Sequence, residues 1–497
     1  MKSHLLAALS ALMLSACGGG HLIPSSAVDV DALANKCFAE NGRRFNAVML
    51  CSKKANDQAA LSYRPTGTTM LGEVQVRSYR LDSQRWQAGD VSPSDWHHCV
   101  ELYQPPHPRR ERALLVISNG VNTGTASFPV RASSDFSAQA LAELASKTNS
   151  IIVTVSDVPN QFLTFADSPT PRREDDAVAH SWQRFLANPE QRPFASLHIP
   201  MMVAAVKAMD LAQAELVQFG IRSFIATGAS KRGWTTWHTA LVDSRIDAMV
   251  PFVIDILNTK VIFEHTKKVY GGSWPLALKP YADDGVIAAI GTPAFDKLME
   301  IEDPLRYQAA RYAARMAIPK YLINTSGDSF FTPDNAALYF DQLPGPKVLW
   351  SVPNADHFQV LDVAQQALIN FTNRIQSGIA LPVVSETLSG TSGAPTSLTL
   401  AFNEPATKIT RWVAINPAAR DFRAACGVKY APSEVKADAD GKVRLDLATP
   451  PSGWSATFAE IQFADGFTAT SKVYVTPNGQ YPQVAPTAGT GACQTFP

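Results

Sequence analysis

Short, solid apolar runs separated by stretches of helical period fill the first three quarters of the chain. Ala113-Leu114-Leu115-Val116-Ile117, Ile151-Ile152-Val153, Phe224-Ile225-Ala226, Met249-Val250-Pro251-Phe252, Tyr321-Leu322-Ile323 and Val348-Leu349-Trp350 are such runs. Each ends near Asn, Gly, Asp or Pro. This is the signature of strands buried on both faces of a parallel sheet. Between them, apolar residues recur at helical spacing, as Phe136, Leu141, Leu144 and Ala145 and as Met201, Met202, Ala205, Met209 and Ala212. Strand, helix, strand is the unit of an α/β parallel sheet. Upstream, alternation predicts one strand within Thr66–Tyr79 and another over Trp96–Tyr103. His97 and His98 are neighbours on a strand, so they face opposite ways and are read as packing residues. Residues 259–315 look helical and irregular, as expected of an insert that caps a pocket.

The pattern changes near Ala380. Thr, Ser, Gly and Pro rise and alternation replaces helical periods, as in Leu398-Thr399-Leu400, Val443-Arg444-Leu445 and Thr457-Phe458-Ala459-Glu460-Ile461. Short strands between turn residues predict a small all-β sandwich, immunoglobulin- or fibronectin-like, over 385–497. It holds no candidate catalytic group. The α/β domain is then 61–380, preceded by a tether and N-terminal segment at 18–60 in which 28–39 forms a short helix.

The first residues add a compartment. Lys2 and His4 precede an apolar run from Leu5 to Leu14, too short to span a bilayer stably. The ending Leu14-Ser15-Ala16-Cys17 resembles a bacterial lipobox, which makes 1–17 a lipoprotein signal peptide and Cys17 the lipidated residue. Gly18 after it resembles the lipoproteins sent to the outer membrane. The expectation is an exported protein, lipid-anchored to the bacterial envelope at the outer membrane or in the periplasm, with the membrane as partner through Cys17. Export permits disulfides. Cys37–Cys51 and Cys426–Cys493 are the sequence-local pairings, although connectivity stays open at this level. Lys+Arg and Asp+Glu are both 44, so there is no basic excess and no nucleic-acid partner is expected. No Cys/His spacing calls for a metal, and no cofactor is expected.

The chemistry centres on Gly228-Ala229-Ser230-Lys231-Arg232-Gly233. A buried strand runs into it and a helix leaves it through Trp234 and Trp237. That context makes Ser230 the tip of a nucleophile elbow, with the helix N-terminus aimed at a developing oxyanion. The second glycine comes one residue later than in Gly-x-Ser-x-Gly, which lowers the specificity of the motif. A serine nucleophile needs a base, an acid that orients the base, and an oxyanion hole. Ser230, Asp328 and His357 occur in the chain order Ser, Asp, His, each just past an apolar strand. Asp255, also past a strand, is the alternative acid, and Asp334 reads as a helix cap. The oxyanion donors are expected from the backbone of Lys231 and from the loop Asn119, Gly120 and Val121, where glycine permits close approach. Glu174, Asp175 and Asp176 read as acids in a first helical turn. Lys231 and Arg232 either bind an acidic substrate or form salt bridges on the helix surface. The substrate would be a small molecule or peptide with an ester or amide bond. The rival reading is a non-catalytic envelope lipoprotein that uses this scaffold to bind a peptide, glycan or protein.

Several segments together resemble the PhoPQ-activated pathogenicity-related protein family. They are Arg173-Glu174-Asp175-Asp176-Ala177, Ile199-Pro200-Met201-Met202, Gly228-Ala229-Ser230-Lys231-Arg232-Gly233-Trp234, Val253-Ile254-Asp255-Ile256-Leu257-Asn258, Gly327-Asp328-Ser329-Phe330-Phe331-Thr332-Pro333-Asp334 and Pro353-Asn354-Ala355-Asp356-His357. Asp421-Phe422-Arg423 extends the likeness into the tail. The resemblance spans roughly residues 60–480 and implies an α/β-hydrolase fold, a doubly wound and mostly parallel sheet, in an exported bacterial protein. It implies no particular substrate.

Overall fold

The computed structural model describes residues 28–87, 89–124, 128–391, 394–486 and 489–497. The signal peptide and Cys17 lie outside the described residues. Nine strands form the central sheet: β1 (Ser62–Leu71), β2 (Val74–Arg85), β3 (Asp95–Gln104), β4 (Arg112–Ile117), β5 (Ile151–Val155), β6 (Ser223–Ala229), β7 (Ile246–Phe252), β8 (Lys320–Thr325) and β9 (Lys347–Val352). Their order across the sheet is β1-β2-β3-β5-β4-β6-β7-β8-β9. β5, β4 and β6 to β9 pair in parallel, and β1 to β3 add an antiparallel edge. The reversal of order around β4 is the crossover of a doubly wound sheet, and sites form at the carboxyl ends of its strands.

The pleat divides each apolar run between two cores. Ala113, Leu115 and Ile117 of β4 enter one buried cluster, and Leu114 and Val116 enter the other. Helices cover both faces. α1 (Val30–Glu40), α2 (Val48–Asn56), α4 (Glu174–Ala187), α5 (His198–Glu215) and α6 (Lys231–Val242) bury residues in the first cluster, while α3 (Ala138–Thr148) buries Leu141 and Leu144 in the second. The insert after β7 carries α7 (Thr259–Val269), α8 (Lys279–Asp283), α9 (Pro293–Glu302) and α10 (Ala310–Met316). α11 (Leu361–Gln376) closes the α/β region.

Two expectations change. The single strand of Thr66–Tyr79 is a hairpin, β1 and β2, turning at Gly72-Glu73 with Leu71 opposite Val74. Gly72 takes φ +60° there, a conformation easy for glycine. The segment at 18–60 also holds, beyond the helix expected at 28–39, a second helix at Val48–Asn56. α1 and α2 are joined by the Cys37–Cys51 disulfide, and Phe38, Phe45, Val48 and Met49 are buried in the main core. Neither helix has much amphipathic contrast, so tertiary packing and the crosslink define them.

The tail forms two antiparallel sheets. One joins Val384–Thr391, Ala394–Phe402 and Val443–Asp446, and the other is built around Ala406–Asn416 and Trp454–Phe463. This all-β region shares a core with the α/β sheet. Leu398, Leu445, Ile461 and Phe467 fall in one buried cluster with Tyr321, Val348 and Phe371. Tyr321 stacks on Phe467 at 4.6 Å between ring centroids. The chain end returns to the insert, where Thr495–Phe496 pairs with Trp274–Pro275. Among the described residues, no helix is long and apolar enough to cross a membrane.

Candidate active site

β6 is buried between β4 and β7, so its carboxyl end is fixed by hydrogen bonds on both sides. Ser230 follows it at φ 57° and ψ −126°, and α6 begins at the next residue. A side-chain-bearing residue holds such a backbone only where its surroundings compel it. The Ser230 N–H donates to Phe252 O at 2.9 Å, and the Trp234 N–H donates to Ser230 O at 3.0 Å. Both flanking glycines sit where no side chain fits. A Cβ on Gly228 would lie 2.6 Å from Arg232 O, and one on Gly233 would lie 3.0 Å from both Gly228 O and Phe252 O. The delayed second glycine therefore has a reason: position 233, rather than 232, faces the strand backbone. Position 232 is left for a large side chain.

Asp328 follows β8 and His357 follows β9, and the structure brings them together. His357 Nδ1 lies 2.8 Å from Asp328 Oδ2 and 3.1 Å from Oδ1. Asp328 is itself held. Its Oδ1 accepts from the Phe330 N–H at 2.7 Å, and the Thr325 hydroxyl lies 3.3 Å from Oδ2. Both side chains are buried. Phe330 packs on the His357 ring at 4.6 Å and also lines the cavity that contains Ser230. The Ser230 hydroxyl makes no hydrogen bond to His357 among the described residues.

Asp255 is placed elsewhere. Its carboxyl accepts from the Tyr339 hydroxyl at 2.6 Å, and its carbonyl accepts from Asn335. Burial, with the nearby charges of Asp328 and Asp334, pushes its pKa up to about 8 against the opposing Tyr339 bond. Asp334 is no simple cap, because it binds Arg420 at 2.6 Å and His265 at 3.2 Å.

The loop after β4 sorts its backbone donors. The Asn119 N–H donates to Asp135 Oδ2 at 2.8 Å, and the Val121 N–H donates to Arg131 O at 2.9 Å. The Gly120 N–H has no intramolecular acceptor among the described residues. Gly120 holds φ +146°, and a Cβ there would strike Asp157 Oδ1 at 2.3 Å. Lys231 is the first residue of α6, so its N–H is one of the helix's unpaired donors.

The Lys231 and Arg232 side chains turn inward rather than lying on the helix surface. Lys231 Nζ lies 2.9 Å from Glu174 and 3.3 Å from Asp175, and Arg232 Nη2 lies 2.6 Å from Glu174. Arg232 Nε also donates to Val158 O. Burial alone would raise the Glu174 carboxyl, but the charges of Arg232 and Lys231 outweigh it and hold it well below the usual range. The acids of the first turn of α4 thus fasten that helix to the elbow. The paired acids and bases were visible in the sequence; nothing there matched one pair to the other.

Sequence reasoning also missed two features around this centre. The cavity beside Ser230 is lined by aromatic and aliphatic groups including Trp182, Trp234, Phe263 and Leu278, contributed by separate helices and the insert. Behind it, His198 binds the Glu302 carboxylate at 2.8 Å, while Trp234 and His238 both donate to the Glu302 carbonyl. Burial lowers the His238 pKa to about 4. His198, His238 and Glu302 stand close enough together to suit a metal. They are already joined by hydrogen bonds to Glu302, with the outer ring nitrogens of both histidines unpartnered among the described residues. A metal-binding histidine usually has a partner at that outer nitrogen.

The tail reaches the acid–base side directly. The Ala424 N–H donates to Gly327 O at 3.0 Å, and a Cβ on Gly327 would meet Ala424 Cβ at 2.7 Å. The Asn354 amide and the Tyr430 backbone exchange two hydrogen bonds, at 3.0 and 2.7 Å, and the Tyr430 hydroxyl lies 3.3 Å from Ser326 O. The Cys426–Cys493 disulfide ties this segment to the chain end.

Comparison with known proteins places the chain. Among solved structures it is similar to an acetyl xylan esterase from Paenibacillus sp. R4, at 11% identity over 66% of this chain and 93% of that one, with a TM-score of 0.46. It is also similar to a glucuronoyl esterase from Solibacter usitatus, at 12% identity over 63% and 85%, with a TM-score of 0.39. Autocrine proliferation repressor protein A of Dictyostelium discoideum is 30% identical over 434 residues, 80% of this chain and 84% of that protein. The family model of the PhoPQ-activated pathogenicity-related protein matches residues 50–423, and the chain belongs to that family.

Proposed function

We propose that the protein is a serine hydrolase of the bacterial envelope that cleaves an ester or amide. The observation that carries this reading is the buried Asp328–His357 pair at the strand ends next to the strained elbow of Ser230. In the proposed reaction Ser230 Oγ attacks the carbonyl carbon while His357 Nε2 takes its proton. Asp328 fixes the imidazole through Nδ1 and stabilises its charged form. The N–H groups of Lys231 and Gly120 receive the oxyanion. His357 then protonates the leaving group, and water releases the acyl group by the same steps in reverse. The absent Ser230–His357 bond does not oppose this, since such contacts are often loose before substrate binds. Export through the signal at 1–17 and anchoring at Cys17 belong to the same proposal.

The test is covalent labelling of the soluble mature protein with a fluorophosphonate. Wild type should label, and Ser230→Ala and His357→Ala should not. A second reading, a binding protein on a hydrolase scaffold, draws on that same missing contact and on a relative whose printed name, a proliferation repressor, describes no chemistry. Well-folded wild type that fails to label would establish the second reading over the first.

A further inference from the structure

The cavity at Ser230 is open to solvent on one side and leaves about 30 Å³ for water-sized groups, and Ser230 and Lys231 both stand on its wall. A single water needs about 10–15 Å³ on this measure, so the space admits roughly two or three non-hydrogen atoms. Trp182, Trp234, Ile254, Phe263, Leu278 and Phe331 supply most of the surface. The polar groups at its edge are already satisfied. Lys231 Nζ is on Glu174 and Asp175, and the Tyr281 hydroxyl lies 3.1 Å from Asp175. A charged or hydrogen-bonding substituent would lose its water there and find no free partner.

We infer that this cavity is the acyl pocket and that it restricts the enzyme to esters of short, uncharged acyl groups of acetyl or propionyl size. The inference rests on Ser230 being the nucleophile. If it is, the carbon bonded to Ser230 Oγ has its oxygen at the Lys231 N–H. The group filling a cavity walled by both residues is then the carbonyl carbon with its substituent, and the alcohol departs toward the open side. The Ser230 Oγ–acyl bond forms as the acyl–alkoxy bond breaks, and the serine proton passes through His357 to the alcohol. Hydrolysis then frees a short carboxylic acid.

The experiment compares p-nitrophenyl acetate, butyrate and octanoate on the full mature protein, beside labelling with a small methyl fluorophosphonate. We expect kcat/KM for acetate to exceed that for octanoate by at least ~100-fold, since each added methylene in a narrow apolar site is worth about tenfold or more. Leu278→Ala should enlarge the pocket and raise the butyrate-to-acetate ratio at least ~10-fold. Ile254→Ala serves as the second variant, and each is checked for a native melting transition. Labelling of Ser230 with octanoate turned over as well as acetate would overturn the pocket assignment and leave the serine mechanism standing. So would a chain-length profile unmoved in both folded variants. No labelling and no turnover of any ester would overturn both.

Discussion

The two sides of the site are built in different ways. The elbow is made almost entirely from residues 228–234 and the strands beside them, so its geometry is local. Gly228, Gly233 and the turn into α6 fix Ser230 within one supersecondary unit, and Glu174 clamps that unit from α4. The acid–base side is assembled from a distance. Asp328 and His357 sit on loops that touch Ala424 and Tyr430, roughly seventy to a hundred residues further on, in the all-β tail. The comparison teaches that the tail, which holds no catalytic group of its own, is part of the site's framework. It contacts the loops that carry Asp328 and His357, while the parallel sheet holds Ser230.

Four changes would break or sharpen this contrast. The largest effect is expected from Gly228→Ala, whose methyl would push on the α6 backbone at Arg232. Misplacing both Ser230 and the Lys231 N–H should lower kcat on the order of 10² to 10³-fold, read with the ester assay. Next is Glu174→Gln. It leaves two buried cations short of a carboxylate and should cost roughly 3 kcal/mol in chemical denaturation at neutral pH. The sign with pH follows from the depressed carboxyl. Its stabilisation is present above the ordinary value of 4.5 and is lost as pH falls toward the folded-state value, so the gap between wild type and variant should close in acid.

On the other side, Tyr430→Ala should loosen the Ser326 and Asn354 loops. We expect kcat to fall about tenfold with KM unchanged. Equal loss in kcat and a proportional rise in KM would point to general damage instead. The smallest effect on turnover is expected from Asp255→Asn. A buried acid whose pKa is raised to about 8 adds stability that falls away as pH rises from the ordinary 3.8 toward 8. The variant should therefore melt with the wild type near pH 4 and progressively above it by pH 8.

Much of this was legible in the chain, and for identifiable reasons. Central strands carry continuous apolar runs because both faces are covered, so β4 to β9 announced themselves. Ser230, Asp328 and His357 lie just past such runs, and strand ends share one edge of the sheet. The misses have physical causes too. The turn at Gly72-Glu73 lies inside what reads as one alternating stretch. α2 draws its stability from burial of Met49 and from a disulfide to α1, neither of which shows as periodicity.

The sequence by itself determined the α/β architecture, the strand–turn–helix at Ser230 and the placing of Ser230, Asp328 and His357 past strand ends, because these follow from local pattern and from where a strand stops. Only the tertiary structure showed that Asp328 lies against His357 Nδ1 while Asp255 turns to Tyr339. It alone paired Lys231 and Arg232 with Glu174, set Gly120 apart from Asn119 and Val121, and built a small apolar cavity from helices far apart in the chain. Hydrogen bonds and ion pairs depend on distances of a few ångströms between segments, and a linear pattern carries no record of those distances.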